Sequence, residues 1–230
     1  MTNIELAKKH LDVAKNYNTV YGWGCFGFPV TEAILKEKQA QYPNWYTSQK
    51  MNMFRNLIGR NYFMFDCVNL TKGIIWGWNG NQNAVYGGAR YNTNGCPDYS
   101  ADGMIGICKN VSSTGWDDME IGEALWIPGH WGVYVGDGLA VECTPAWKNG
   151  VQVTAVGNIG AKAGYNTRTW KKHGKMPFIT YVGAKNPEKE KHDANKTKVK
   201  IRFGFDDKTI AWLDSYKYNK PLFEKLANSK

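Results

Sequence analysis

Apolar and polar positions along the chain follow two rhythms. In the first seventeen residues, Ile4, Ala7, Leu11 and Ala14 recur at helical spacing while Lys8, Lys9, Asp12 and Lys15 fall between them, which predicts an amphipathic helix. Residues 68–76 repeat the helical rhythm in a more apolar form, directly after the approach Tyr62-Phe63-Met64-Phe65-Asp66. Past residue 120 the rhythm shortens to that of strands, predicted at 122–126, 131–135, 139–143, 151–155 and 178–182. Gly136-Asp137-Gly138 reads as the turn of a hairpin joining the second of these to the third. Helices followed by a run of antiparallel strands predict an α+β fold.

Two stretches break the pattern. Residues 79–118 are rich in Gly, Asn, Tyr and Asp; a connection that long is functional or carries short elements of its own, and it is expected to form one wall of a cleft. Residues 185–200 are polar and Lys-rich, as expected of an exposed linker between a domain at 1–184 and a small helical region at 201–230. In that last region Asp206 and Asp207 can cap a helix carrying Ile210, Leu213 and Tyr216, and a second helix begins near Pro221 with Leu222, Phe223 and Leu226. Thirty residues make a small core, and binding to a target, self-association and docking on the larger domain all remain open for it.

Composition narrows the class. The chain has 230 residues, 43% hydrophobic and 14% aromatic, which is globular rather than disordered. No stretch is long and apolar enough to span a bilayer, and the first seventeen residues lack the apolar run of a signal peptide, so synthesis in the cytoplasm and no membrane insertion are expected. The net charge of +9 suits a polyanion, but the lysines are dispersed and no nucleic-acid module is recognisable, so no nucleic-acid partner is expected. Five cysteines without a Cys-x-x-Cys pair argue against a zinc cage or a disulfide framework, and reduced, scattered thiols are expected ahead of a loop bridge between Cys96 and Cys108. Of the many aromatics, Trp45, Tyr46, Trp76, Trp78, Trp116, Trp131 and Trp147 fall in or near loops; most are expected in packing and a minority at a cleft.

The candidate chemistry begins at Cys67. A lone buried cysteine is usually a small core hydrophobe, but a thiol at a helix N-terminus sits in a field that lowers its pKa. His130 begins one strand of the hairpin and Glu142 ends its partner, so antiparallel pairing brings the two side chains near each other. The other three histidines, His10, His173 and His192, lie in Lys-rich settings that suggest solvated surface. Cysteine on a helix tip, histidine on a strand and a polar residue on the neighbouring strand make the layout of a thiol peptidase triad.

The motifs Phe-Asp-Cys-Val-Asn-Leu at 65–70, Gly-His-Trp-Gly-Val-Tyr-Val-Gly-Asp-Gly at 129–138 and Val-Glu-Cys-Thr-Pro at 141–145 resemble the NlpC-type peptidoglycan peptidases. That family comprises papain-like cysteine enzymes and includes many phage endolysins. Tyr21-Gly22-Trp23-Gly24 is similar to the family's aromatic-glycine motif, Gly122-Glu123 to its Gly-Asp step, and residues 170–181 to the closing strand of phage members. The resemblance spans residues 5–184 and implies a papain-like domain with Cys67 as nucleophile, His130 as proton carrier and Glu142 as its orienting partner. It implies substrate contacts at Tyr21, Trp23, Asp66 and Trp131, no metal or other cofactor, and hydrolysis of an amide bond in bacterial peptidoglycan. Anionic wall polymer is then the polyanion that the basic charge suits, and release through a holin pore is the expected route to the wall. Val68-Asn69 and Cys25 depart from the family's usual residues at positions expected to border the cleft. A binding module that keeps the fold without the chemistry, and an amidase or transferase with the same thiol-acyl chemistry, are the alternatives.

Overall fold

In the computed structural model, which describes residues 1–183, 187–216 and 218–229, Thr2 opens helix α1 (Asn3–Asn16) with a reciprocal cap. Its hydroxyl accepts from the Glu5 N–H at 3.2 Å while the Glu5 carboxylate accepts from the Thr2 N–H at 2.8 Å. The buried face of α1 is Asn3, Leu6, Ala7, His10 and Val13, whereas Ile4, Leu11 and Ala14 of the expected stripe are only half-buried. Two polar residues share the inner face because both find partners there. Asn3 donates to the Ile121 carbonyl at 2.8 Å.

His10 is fully buried, not solvated as expected. Its Nδ1 lies 2.9 Å from the Leu6 carbonyl, which only accepts, so Nδ1 carries the proton and Nε2 accepts from the Thr71 hydroxyl at 3.0 Å. That hydroxyl in turn accepts from the Trp131 indole N–H at 3.1 Å. The chain of three bonds ties α1 to two elements of the core and leaves no site for a second proton on the ring.

Three short strands, β1 (Asn18–Tyr21), β2 (Phe26–Pro29) and β3 (Tyr62–Phe65), form a sheet in the order β1-β3-β2, with β1 parallel and β2 antiparallel to β3. Helices α2 (Glu32–Gln41) and α3 (Ser48–Arg55) fill the connection between β2 and β3. Helix α4 (Cys67–Ile75) follows β3 directly, and all nine of its residues are buried. It lies so close to β2 that a Cβ on Gly73 would stand 2.3 Å from the Phe26 carbonyl oxygen.

Residues 76–123 hold helix α5 (Ala101–Ile107) and strand β4 (Lys109–Ser112). The second sheet adds β5 (Ala124–Ile127), β6 (His130–Gly136), β7 (Leu139–Thr144), β8 (Gly150–Val156), β9 (Thr167–Arg168) and β10 (Lys172–Lys175), in the order β4-β10-β5-β6-β7-β8-β9. Every pair is antiparallel except β8 with β9. Helices α1 and α4 pack on its central strands, and the fold is α+β.

The expected strand at 178–182 is replaced by β10 at Lys172–Lys175. Pro177 lacks the N–H a ladder needs, and the chain after it turns back to hold the start of α1, where Asn3 N–H donates to the Thr180 carbonyl at 3.0 Å. Strand β10 escapes the strand rhythm because its buried residues are His173 and Gly174, neither of them apolar in the sense that rhythm reads. The His173 ring, also expected in solvent, bonds the Glu123 carboxylate through Nδ1 at 2.6 Å and the Thr114 carbonyl through Nε2 at 2.8 Å. Both partners accept, so the ring is an imidazolium. Burial opposes that charge, but the bonds to Glu123 and Thr114 outweigh it and hold the pKa above its ordinary value.

The chain divides into two compact units, Met1–Ala184 and Lys185–Lys230. The second contains α6 (Pro187–Phe203), α7 (Asp207–Asp214) and α8 (Asn219–Asn228) around Val199, Ile210 and Phe223. Most of the stretch expected as a linker is therefore helix. Its Lys and Glu residues have high helix propensity, and a buried face of little more than Asn195 and Val199 leaves almost no apolar rhythm to read. Residues 184–186, 217 and 230 lie outside the described residues, and with them one end of each expected domain and the first two linker positions. His192, the third histidine expected in solvent, is largely covered and bonds Asp214 at 2.7 Å. No helix among the described residues is long and apolar enough to cross a membrane.

Burial lowers the His10 pKa from 6.5 to about 4. The folded state thus binds fewer protons than the unfolded state between these values. Its contribution is fully present above pH 6.5 and is lost as pH falls through the window toward 4. Between pH 7.5 and 4.5 wild type should lose roughly 2–3 kcal/mol more stability than His10→Gln, which has nothing to titrate there. Urea unfolding of both proteins at the two pH values measures the difference; parallel losses would refute the neutral buried ring.

Candidate functional site

The loop between β1 and β2 is stitched to the tip of α4. Asp66 caps that helix, its Oδ1 accepting the Asn69 N–H at 2.8 Å while its Oδ2 accepts the Gly24 N–H at 2.9 Å. The Asp66 N–H donates to the Cys25 carbonyl at 2.8 Å and the Gly22 N–H to the Phe65 carbonyl at 2.9 Å. Gly24 needs its left-handed backbone, φ 73°, because a Cβ there would meet the Tyr42 ring at 2.4 Å. These bonds put Tyr21 and Trp23 beside Cys67, the first residue of α4.

The Cys67 thiol donates to the Gly129 carbonyl at 3.8 Å, and the neighbouring Val68 and Trp131 N–H groups and the Tyr21 hydroxyl act to lower its pKa. The backbone immediately before His130 therefore reaches the sulfur, although no Cys67–His130 hydrogen bond forms among the described residues. Burial, then the adjacent Asp66 charge, pushes the thiol up to about 12 against the lowering by these donors. The thiol pKa is therefore raised, where the helix-tip field was expected to lower it.

His130 opens β6 and Glu142 lies on β7, where it pairs in register with Gly132. The imidazole Nε2 bonds the Glu142 Oε2 at 2.7 Å, so Nδ1 is the nitrogen left for a thiol. Trp170 stacks on the ring, centroids 5.7 Å apart and planes within 8°. Gly132 makes room for it, since a Cβ there would come within 2.7 Å of the indole. Glu142 is fully buried and fully engaged. The Thr154 hydroxyl donates to Oε1 at 2.8 Å and the Arg168 Nε to Oε2 at 2.7 Å. The Arg168 guanidinium lies over the rings of Trp147 and Trp170, at 4.8 and 5.7 Å.

A cleft of about 580 Å³ opens at the sulfur. Tyr21, Trp23, Asp66 and Cys67 line it, as do Val68 and Asn69. Residues 79–118 do supply one wall, through Tyr86, Tyr91 and the run 98–102. Asp102 also reaches behind the histidine, its Oδ1 accepting both the Trp126 indole N–H and the Gly129 N–H at 2.8 Å. Two positions expected at the cleft are elsewhere. The Trp131 side chain is buried in the core, because alternation along β6 turns it to the face opposite His130, toward α4 and Thr71. Cys25 is buried against Tyr46, with Sγ 3.3 Å from the hydroxyl.

Arg168, Thr154 and Asp102 escaped the sequence reading. Each lies far along the chain from the group it holds, and only alternation within β8 hints that Thr154 shares a face with Gln152 and Glu142. All five cysteines are free, Cys96 and Cys108 included. Among the described residues no group of His, Cys, Asp and Glu is arranged to hold a metal ion. Compared with family models, curated proteins and solved structures, the chain matches none.

Glu142→Gln puts an amide N–H against the Thr154 or Arg168 donors and removes the counter-charge of a largely buried guanidinium. It should cost roughly 3–5 kcal/mol, against about 1 kcal/mol for Thr154→Val. Urea unfolding of the two variants checks the ranking; equal losses would mean that Glu142 does not hold Arg168.

Proposed function

We propose that the chain is a cell-wall hydrolase of papain-like design, cleaving an amide bond of peptidoglycan stem peptides with Cys67, His130 and Glu142. The observation that carries this reading is the bonded His130–Glu142 pair beside a helix-tip thiol at the floor of an open cleft. The motif resemblance over residues 5–184 supports the substrate class.

In this mechanism the scissile carbonyl enters the cleft over the sulfur, and His130 Nδ1 takes the thiol proton as sulfur bonds to the carbonyl carbon. Glu142, held by Thr154 and Arg168, stabilises the imidazolium through Nε2 and fixes its plane. The oxyanion accepts from the Cys67 N–H at the helix tip and from Tyr21. On collapse the imidazolium gives its proton to the leaving amine, leaving a thioester that water, deprotonated by the same imidazole, opens to a carboxylate and a free thiol. The high resting pKa of the thiol fits a base that acts during attack. An amidase or transferase would share these steps and differ in the acceptor; a binding module would use the cleft alone.

Cys67→Ala should lower turbidity loss of purified cell walls about a thousandfold or more while leaving the fold intact. A folded Cys67→Ala protein that still lyses walls would remove the thiol from the mechanism. His130→Ala should be nearly as inactive.

The second unit is assigned to targeting, with anionic wall polymer as partner. Residues 185–230 hold 12 Lys and Arg against 7 Asp and Glu. Trp212, Tyr216 and Tyr218 stand exposed there at 72%, 55% and 57%. A made-in-cytoplasm enzyme released through a holin pore is the route consistent with this role. A chain ending after residue 184 should cleave a soluble wall peptide with unchanged turnover but sediment less with intact walls, and salt should weaken sedimentation of the full chain. Unchanged sedimentation of the shortened chain would leave the second unit without that role.

A further inference from the structure

We propose that the cleft holds a carboxylate-binding subsite centred on Lys38, which takes an ionised carboxyl group of the wall peptide. The proposal rests on the hydrolase reading above and names the chemistry its substrate must carry. Lys38 is on the inner face of α2 with Ile34 and Leu35, and only 5% of it is exposed. A lysine at such a position needs a counter-charge or a reason to lack one.

The ammonium donates to the Gln41 side-chain oxygen at 2.9 Å and lies 4.6 Å from the Phe28 ring centroid and 5.8 Å from that of Tyr42. Glu37 is 4.0 Å away, beyond hydrogen-bond reach, on a side chain that is 54% exposed. Two of the three N–H donors therefore meet no acceptor among the described residues. Aromatic faces compensate a buried cation only in part. All four surrounding residues, Phe28, Glu37, Gln41 and Tyr42, line the cleft with Lys38, so the residues about the ammonium form part of its wall.

Apart from Glu37, half-exposed beside Lys38, the other charged groups of the cleft are hydrogen-bonded. Lys72 donates to Asp98, which also takes the Tyr91 hydroxyl at 2.6 Å. Asp66 accepts from Gly24 and Asn69, and Asp102 from Trp126 and Gly129. A cationic ligand group would find the Asp66, Asp98 and Asp102 carboxylates occupied and only the half-exposed Glu37 open, whereas a carboxylate would complete the donor set of Lys38. Stem peptides bear such groups next to amide bonds, and amidation removes the charge at nearly constant shape.

The test uses full-length Cys67→Ala protein, which binds without turnover, and calorimetric titration with a synthetic L-Ala-γ-D-Glu-L-Lys peptide. The peptide is offered with both carboxyls free, with either one amidated, and with both amidated. Amidating one particular carboxyl should weaken binding about 10-fold or more, the worth of a charge-assisted bond. Adding Lys38→Met should bring the free acid down to the affinity of the fully amidated peptide and leave the latter unchanged, while Lys38→Arg should keep the preference. Equal affinity for acid and amide, weakening of both alike by Lys38→Met, or no binding of any form would overturn the subsite. Lys38→Arg keeps the charge and the fold if the Met variant does not fold; loss of the preference in a folded Arg variant with intact amide binding would also count against it. Wall lysis by the unaltered enzyme separates the two readings, since lysis without a carboxylate preference sinks the subsite alone and absence of lysis sinks the hydrolase.

Discussion

The buried carboxylate of Asp66 couples the parts on which the site depends. One oxygen closes the first turn of α4 and the other holds Gly24, so the thiol and the aromatic loop beside it share one anchor. The arrangement is costly. Burial pushes the Asp66 carboxyl up to about 6, against the donated bonds of Asn69 and Gly24 and the Lys72 charge, and the same anion raises the neighbouring thiol. Helix capping and thiol acidity thus oppose each other at adjacent residues. Placement has been favoured over resting reactivity.

A second buried carboxylate works in the other direction. Glu142 divides its charge between His130 and Arg168, and Thr154 takes the remaining oxygen. With a neutral His130 alone it would be an isolated buried anion; with Arg168 alone it would not be tied to the histidine. Trp170 belongs to both halves, stacking on the imidazole and lying under the guanidinium. The insertion adds the last constraint, because Asp102 fixes the Gly129 amide immediately before His130. A segment that looks like surface decoration is therefore part of the mounting of the histidine.

Legibility in the sequence followed the physics of each element. The strands β5 to β8 and the hairpin turn were readable because alternation and Gly-Asp-Gly are local signals. Helix α4 and the place of Cys67 at its tip were readable from an apolar run at helical spacing directly after the approach at 62–66. Strands β1, β2 and β3 were not, since four-residue strands buried on both faces show no alternation. The buried histidines misled for a related reason. His10 and His173 have lysines as sequence neighbours, but their partners Thr71 and Glu123 are 61 and 50 residues away. Helix α6 was hidden by its near-absence of apolar residues. What the sequence lacked in each case was a contact distant along the chain.

On the proposed mechanism these constraints identify what must move. The imidazole is held at Nε2 by Glu142 and across its face by Trp170, so its free nitrogen has one direction. The Cys67 backbone is the start of a helix buried along its whole length, so it does not shift either. The remaining freedom is the thiol itself, whose proton points to the Gly129 carbonyl at rest. Turning that S–H from the carbonyl to the ring is a rotation of one side chain in a place water barely reaches. A neutral thiol can make the turn without adding a second negative charge beside Asp66, which a thiolate would. Holding the thiol protonated until a carbonyl fills the cleft is therefore the state in which the burial of Cys67 and the charge of Asp66 are least in conflict with attack.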